Sequence, residues 1–312
     1  MINNFIKKIR NKWHNDIINK IFISNYDISW NVSGKTWFAE FENYHNFISD
    51  INIQDYIKKL FSISYEPPYS IPIYCDICKN ISISNSFILY GIEESYSCNN
   101  CGMNSRKRAM YEFVYNQYRN KKNIYIQEAV TTAYYIYEKL FNKNNIIGSE
   151  YLGEDKTCGK YYNYLNNNIM HQDCTNMSFS DNTFDLIISQ HIFEHIFEVK
   201  QSLSELFRIT KPNGAIVLSF PFFLFQEKNN ILARRIKIEN KNEFNIEYLH
   251  TPPKFHINPA DPQGGSLVYW EHGWEFLDIM RDVGYTDVKL HLYNNVYKGY
   301  FGCQSLISAK KE

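Results

Sequence analysis

HQDCTNMSFSDNTFDLIISQHIFEHIFEVKQSLSELFRITKPNGAIVLSFPF, residues 171–222, reads as two buried strands flanking one amphipathic helix. The apolar run 184–190 stops abruptly at Ser189, Gln190 and His191. From Val199 to Thr210, Val199, Leu203, Leu206 and Phe207 recur at helical spacing. LysProAsnGly at 211–214 breaks that helix, and AlaIleValLeuSerPhe at 215–220 supplies the next strand. Strand, helix and strand in this order imply a right-handed parallel crossover with both sheet faces covered. Ligands of such sheets sit at the carboxyl ends of the strands, where this stretch gathers its polar residues.

The segment AspCysThrAsnMetSerPheSerAspAsnThrPheAspLeuIleIleSer, then PheGluHis, then PheArgIleThrLysProAsnGlyAlaIleValLeuSer resembles the class I S-adenosylmethionine (SAM)-dependent methyltransferases. The resemblance covers that family's third to fifth strands and extends from Asn123 to the C-terminus. It implies an α/β fold with a Rossmann-like, seven-stranded sheet, a methyltransferase activity and SAM as cofactor. A final antiparallel hairpin is implied as well.

Outward from that stretch, the chain alternates from Asn123. Strands are expected at 124–127, 146–149, 169–171, 286–292 and 304–309, with helices at 131–141 and 274–283. Asparagine is abundant throughout, so AsnAsnAsn at 166–168 is given no weight. A long insertion, 222–272, separates the fifth strand from the last helix.

Upstream, Cys75, Cys78, Cys98 and Cys101 are spaced C-x2-C-x19-C-x2-C, which suits four thiolates closing a tetrahedron around a structural zinc ion. Gly102 follows the second pair, as a knuckle turn often requires. Two disulfides are the competing reading, and a reducing cytosol disfavours them. The zinc ribbon is expected over 71–104, after an extension of residues 1–70 with a helical stretch at 3–20 and a stiff linker at 66–72. Residues 81–90 read as hairpin material, and 105–118 as a helix leading into the methyltransferase domain of 105–312. Ribbon and extension lie outside the general family pattern, and a subset of the family carries such a ribbon.

Lys+Arg 33 balance Asp+Glu 33, which argues against broad attraction to nucleic acid. Arg106, Lys107 and Arg108 form the one tight basic cluster. Lys7, Lys8, Arg10 and Lys12 interrupt the apolar residues near the start, so neither a signal peptide nor a membrane span is expected, and the chain reads as cytoplasmic.

SAM presents a sulfonium, an amino acid end, a ribose diol and an adenine, each needing its own partner. Glu150, after the second strand, suits the two ribose hydroxyls. By resemblance, Asp173 and Cys174 meet the adenine; Asp173 otherwise reads as an Asx turn or cap ahead of Asn176. Glu128 takes the amino acid end by resemblance, and Thr131 offers a hydroxyl or N–H to the carboxylate at a helix N-terminus. Here the family pattern breaks: no glycine follows Glu128, and Val130, Thr131 and Thr132 crowd the turn. Gln190 is counted with the cofactor contacts.

The loop after the fourth strand, with His191, Glu194 and His195, borders the methyl group in the family. His191 or His195 can serve as a general base, or each can be a packing or capping residue. Within the insertion, His250, His256 and His272 stand among aromatics and prolines. The segment reads as a substrate lid with His256 at the acceptor, or as an ordinary surface loop. Its histidines have no HxH or HxxxH spacing, so no metal site is expected there. Methylation of a sugar or glycan-precursor hydroxyl is the leading expectation. RNA methylation and a non-catalytic SAM-fold module are the alternatives. Oligomeric state is not legible.

Overall fold

The computed structural model describes residues 36–62, 70–85, 96–141, 145–164, 166–238, 244–258 and 261–312. The expected helix at 3–20, most of the linker and the end of the 81–90 hairpin lie outside them. Two compact units divide the chain: 1–38, 56–109 and 292–304 form the smaller, and 39–55, 110–291 and 305–312 the larger.

In chain order the strands begin with β1 (Trp37–Phe41), β2 (Ser70–Cys75), β3 (Asn80–Asn85) and β4 (Ser97–Cys98). Next come β5 (Ile124–Ile126), β6 (Ile146–Glu150), β7 (Tyr161–Tyr164), β8 (Asn167–His171), β9 (Phe184–Gln190) and β10 (Thr210–Ser219). The insertion holds β11 (Asn230–Ile231), β12 (Ala233–Lys237), β13 (Phe244–Tyr248), β14 (Phe255–Asn258), β15 (Asp261–Leu267) and β16 (Trp270–Glu271). The last two are β17 (Thr286–Asn295) and β18 (Tyr300–Lys310).

The main sheet runs β1-β17-β18-β10-β9-β5-β6-β8-β7. β8, β6, β5, β9 and β10 are mutually parallel, and β18 joins β10 antiparallel. Seven of the nine strands are those expected from the sequence. The other two, β1 and β7, extend the sheet at its edges. β7 returns antiparallel to β8 through Asn166, which sits at φ 62. Asparagine tolerates that left-handed backbone better than most residues, so the Asn run discounted as compositional makes a real turn.

β9 is buried almost throughout, as both-face coverage requires. The helix Val199–Ile209 buries Val199, Leu203, Leu206 and Ile209 against the sheet. Full burial of such side chains contributes roughly 1.5–3 kcal/mol each. Phe207, expected on that face, is half-buried beside it and meets Tyr285 edge-on at 5.0 Å. The expected break at 211–214 appears as a register shift between Thr210 and Ala215. Asn213 there takes φ 61, and a Cβ on Gly214 would stand 2.7 Å from the Lys211 carbonyl.

In the smaller unit β2, β3 and β4 form a three-stranded antiparallel sheet. The two knuckles repeat one geometry. Lys79 N–H donates to the Cys75 carbonyl at 2.8 Å, and Gly102 N–H donates to that of Cys98 at 2.7 Å. Both residues have positive φ, 56 and 72, so the first knuckle manages with lysine the turn that the second makes with glycine. Arg108 is fully buried and donates to the carbonyls of Met103 (3.2 Å), Tyr96 (2.8 Å) and Lys298. Arg106 is buried too. Two members of the basic cluster are therefore internal struts rather than an exposed patch.

Candidate functional site

Because β5, β6, β8 and β9 run parallel, their carboxyl ends lie along one edge of the sheet. At that edge Gln127 N–H donates to the Ile188 carbonyl at 3.2 Å, and Ala129 N–H to that of Ser149 at 3.1 Å. Glu128 is buried. Thr131 closes the turn, its N–H and Oγ1 both directed at the Glu128 carbonyl (3.3 and 3.2 Å). Residues 127–132 are absent from those with positive φ, so the turn keeps an ordinary backbone and tolerates β-branched residues. That is why the missing glycine does not disrupt it.

Glu150 ends β6, half-buried, and its carbonyl accepts from Gln172 N–H at 3.1 Å. Asp173 Oδ1 accepts from the N–H (2.8 Å) and hydroxyl (2.7 Å) of Thr175, which is an Asx turn. Cys174 accepts a weak contact from the Ser202 hydroxyl at 3.5 Å, and burial pushes its thiol up to about 12. It is a neutral wall rather than a nucleophile at neutral pH. Gln190 is buried at the end of β9. Three buried polar atoms of these strand ends, Gln127 Oε1, Ser189 Oγ and Ser219 Oγ, have no hydrogen-bond partner among the described residues. Buried polar atoms without partners are costly, and a polar ligand at this edge would supply them.

Just beyond β9, His191 takes φ 51 and its N–H donates to the Ser219 carbonyl at 2.6 Å. A short 3-10 turn, Phe193–His195, then places Glu194 inward, 1% exposed. Three imidazoles face its Oε1: His191 Nδ1 at 3.4 Å, His256 Nδ1 at 3.6 Å and His195 Nε2 at 3.8 Å. The His195 and His256 rings meet edge-on at 5.0 Å. Burial alone would push the Glu194 carboxyl up, but the imidazoles outweigh it and hold it down at about 2. Burial lowers the pKa of His195, with Glu194 opposing. His195 Nδ1 lies 2.8 Å from the Leu267 carbonyl, so Nδ1 carries the proton and Nε2 presents its lone pair. His256 is the open side of the group, 40% exposed.

The insertion reaches this group because it is tied to the 193–197 turn. Tyr269 N–H donates to the Glu194 carbonyl at 2.8 Å, Trp270 Nε1 to that of Phe197 at 3.2 Å, and His272 Nε2 lies 3.1 Å from that of Phe193. β14 pairs with β15, carrying His256 opposite Ser266. The structure thus brings together His191, His195 and His256, from segments far apart in sequence. It does not bring the other two insertion histidines: His250 Nδ1 lies 2.8 Å from the Pro252 carbonyl, and His272 is fully buried. Glu194, the hub, was visible in the loop but carried no assigned role. Its signal was a lone acid inside the apolar run IlePheGluHisIlePhe.

In the smaller unit, the sulfurs of Cys75, Cys78, Cys98 and Cys101 all lie within 4.8 Å of one another. Cys75 and Cys101 are 3.8 Å apart, and Cys78 and Cys98 3.9 Å. Thiolates about 2.3 Å from a tetrahedral zinc would stand about 3.8 Å apart. All four are free of disulfides, so the donor set fits zinc.

Residues 137–218 match the family described as the methyltransferase domain. That span contains β6 to the end of β10, and the sheet order is the one the resemblance implies. The chain therefore contains a class I SAM-dependent methyltransferase domain. It is similar in structure to a SAM-dependent methyltransferase from Archaeoglobus fulgidus, at 16% identity, covering 66% of this chain and 93% of that one, with a TM-score of 0.41. It is similar also to the 1,6-didemethyltoxoflavin-N1-methyltransferase of Burkholderia thailandensis (12%, 66% and 77%, 0.38). A third likeness is to a SAM-dependent methyltransferase of Mesorhizobium loti (12%, 61% and 91%, 0.36). No curated protein matches the chain.

Proposed function

We propose that this chain methylates a hydroxyl of a small polar acceptor, of the sugar or glycan-precursor kind, and that its ribbon holds one structural zinc. The observation that carries the reading is the buried Glu194 with three imidazoles around it, beside the end of β9 and open at His256. When bound, SAM supplies an electrophilic methyl group and carries off the C–S electron pair. Glu150 accepts hydrogen bonds from its ribose, Glu128 and Thr131 serve its amino acid end, and Asp173 with Cys174 borders its adenine. Gln190 adds a polar contact at the end of β9. The imidazoles take the acceptor's hydroxyl proton as its oxygen attacks, and the insertion holds the acceptor in line as a lid. Alignment supplies much of the rate and proton removal the rest.

A small acceptor fits a chain without net charge whose basic cluster is largely internal. A cytoplasmic setting fits the free thiols. No helix among the described residues is long and apolar enough to cross a membrane. The reading is tested by incubating the protein with isotopically labelled SAM and a panel of nucleotide sugars, oligosaccharides and ribosomal RNA fragments. Mass spectrometry should show one added methyl on a sugar hydroxyl. Methylated RNA would instead support the first alternative, and no labelled product with tight SAM binding the second.

A further inference from the structure

Glu194 is 1% exposed, yet neither of its carboxylate oxygens has a hydrogen-bond partner among the described residues. An ionised carboxylate left in that state is strongly penalised unless a cation sits against it. The ion pairs found for it involve imidazoles alone, at 3.4, 3.6 and 3.8 Å. Those separations are too long for carboxylate–imidazole hydrogen bonds, which lie near 2.7–2.9 Å. They match another geometry. Nitrogen and oxygen donors each about 2.1 Å from one tetrahedral ion stand about 3.4 Å apart.

We propose that Glu194, His195 and His256 form a second metal site, for one divalent transition-metal ion, with its remaining position open to the acceptor hydroxyl. Their donor atoms lie within 4.8 Å of one another. Two imidazoles and one carboxylate suit zinc, manganese or iron(II) rather than magnesium or calcium. The surroundings orient the ligands as metal sites do. The Leu267 carbonyl holds the proton on His195 Nδ1 and turns Nε2 inward, and Tyr269 N–H ties the insertion to the Glu194 backbone. His256 at the exposed side leaves the entry path.

The site itself is independent of the acceptor; only its role rests on the hydroxyl-methylation reading. In that role the cation binds the acceptor oxygen and acidifies its proton. The proton passes to the neutral imidazole of His191, and the freed oxygen pair forms the bond to the methyl carbon while the C–S pair stays with sulfur.

Cobalt(II) titration of the metal-stripped full-length chain tests the site. Cobalt in the ribbon gives intense thiolate charge-transfer absorption, whereas cobalt on histidine and carboxylate gives weak visible bands alone. Wild type should take two equivalents, one of each kind. His256→Ala, at a partly exposed position, and Glu194→Gln should each keep the thiolate equivalent and lose the other, with SAM affinity unchanged. One equivalent in wild type, entirely of thiolate kind, would overturn the proposal, as would a second equivalent that survives both substitutions. If the second equivalent appears but no hydroxyl is methylated, the site stands and the acceptor reading falls.

Discussion

The two donor clusters of this chain differ in almost every physical respect. The ribbon collects four like atoms from two tight knuckles, at positions three apart within each pair, and closes them into a tetrahedron. The cluster around Glu194 collects unlike atoms from a 3-10 turn and an inserted strand, and leaves one side exposed. A closed, all-sulfur set excludes water and substrate and can only stabilise. An open set of imidazole and carboxylate can hold a reacting oxygen. Structure and chemistry are thus divided between two compact units, each with its own cluster.

The largest expected effect lies on the closed side. Cys98→Ser should release the ribbon metal and destabilise the smaller unit, since structural zinc of this kind contributes on the order of 10 kcal/mol to folding. Metal analysis of protein purified without added metal should fall by one ion per chain. Substoichiometric zinc in wild type, with all four thiols titratable, would remove the contrast altogether.

On the open side, His195→Ala should lower turnover by roughly 10²–10⁴-fold while SAM affinity and melting temperature change little. His256→Ala should behave alike. Wild-type turnover in both variants would return the histidines to packing roles and leave alignment as the source of the rate.

A histidine outside the cluster sharpens the comparison. His291 is buried, lies with Nε2 2.8 Å from the Ser308 hydroxyl and packs on Phe113 at 4.8 Å. Burial lowers its pKa to about 4 from the usual 6.5, with Glu40 opposing. Between those values the unfolded chain binds the proton that the folded chain refuses. Stability should therefore be full above pH 6.5 and fall as pH drops toward 4, by roughly 3 kcal/mol from this group. Denaturant melts from pH 7 to pH 4.5 should show a shallower loss in His291→Gln.

The two clusters also explain what was legible in the sequence. The CxxC pairs are local, so spacing alone reveals them. The core strands β5, β6, β9 and β10 announce themselves by short apolar runs bounded by breakers. Glu194, His195 and His256 meet only because β14 and β15 fold back over the turn after β9, and no local period encodes that. Asn166 looked like composition until β7 needed a left-handed turn. Arg106 and Arg108 looked like a basic patch, because charge in a sequence does not tell which guanidinium a buried set of carbonyls will claim.

The account stands on SAM binding at the carboxyl edge of the sheet. Isothermal titration of the full-length chain with SAM measures this directly, in wild type and in Glu150→Ala. One equivalent should bind wild type, and the variant should bind more weakly by about 1.5–3 kcal/mol, the scale of a hydrogen bond to a charged group. No binding to wild type, or equal affinity in the two proteins, would contradict it.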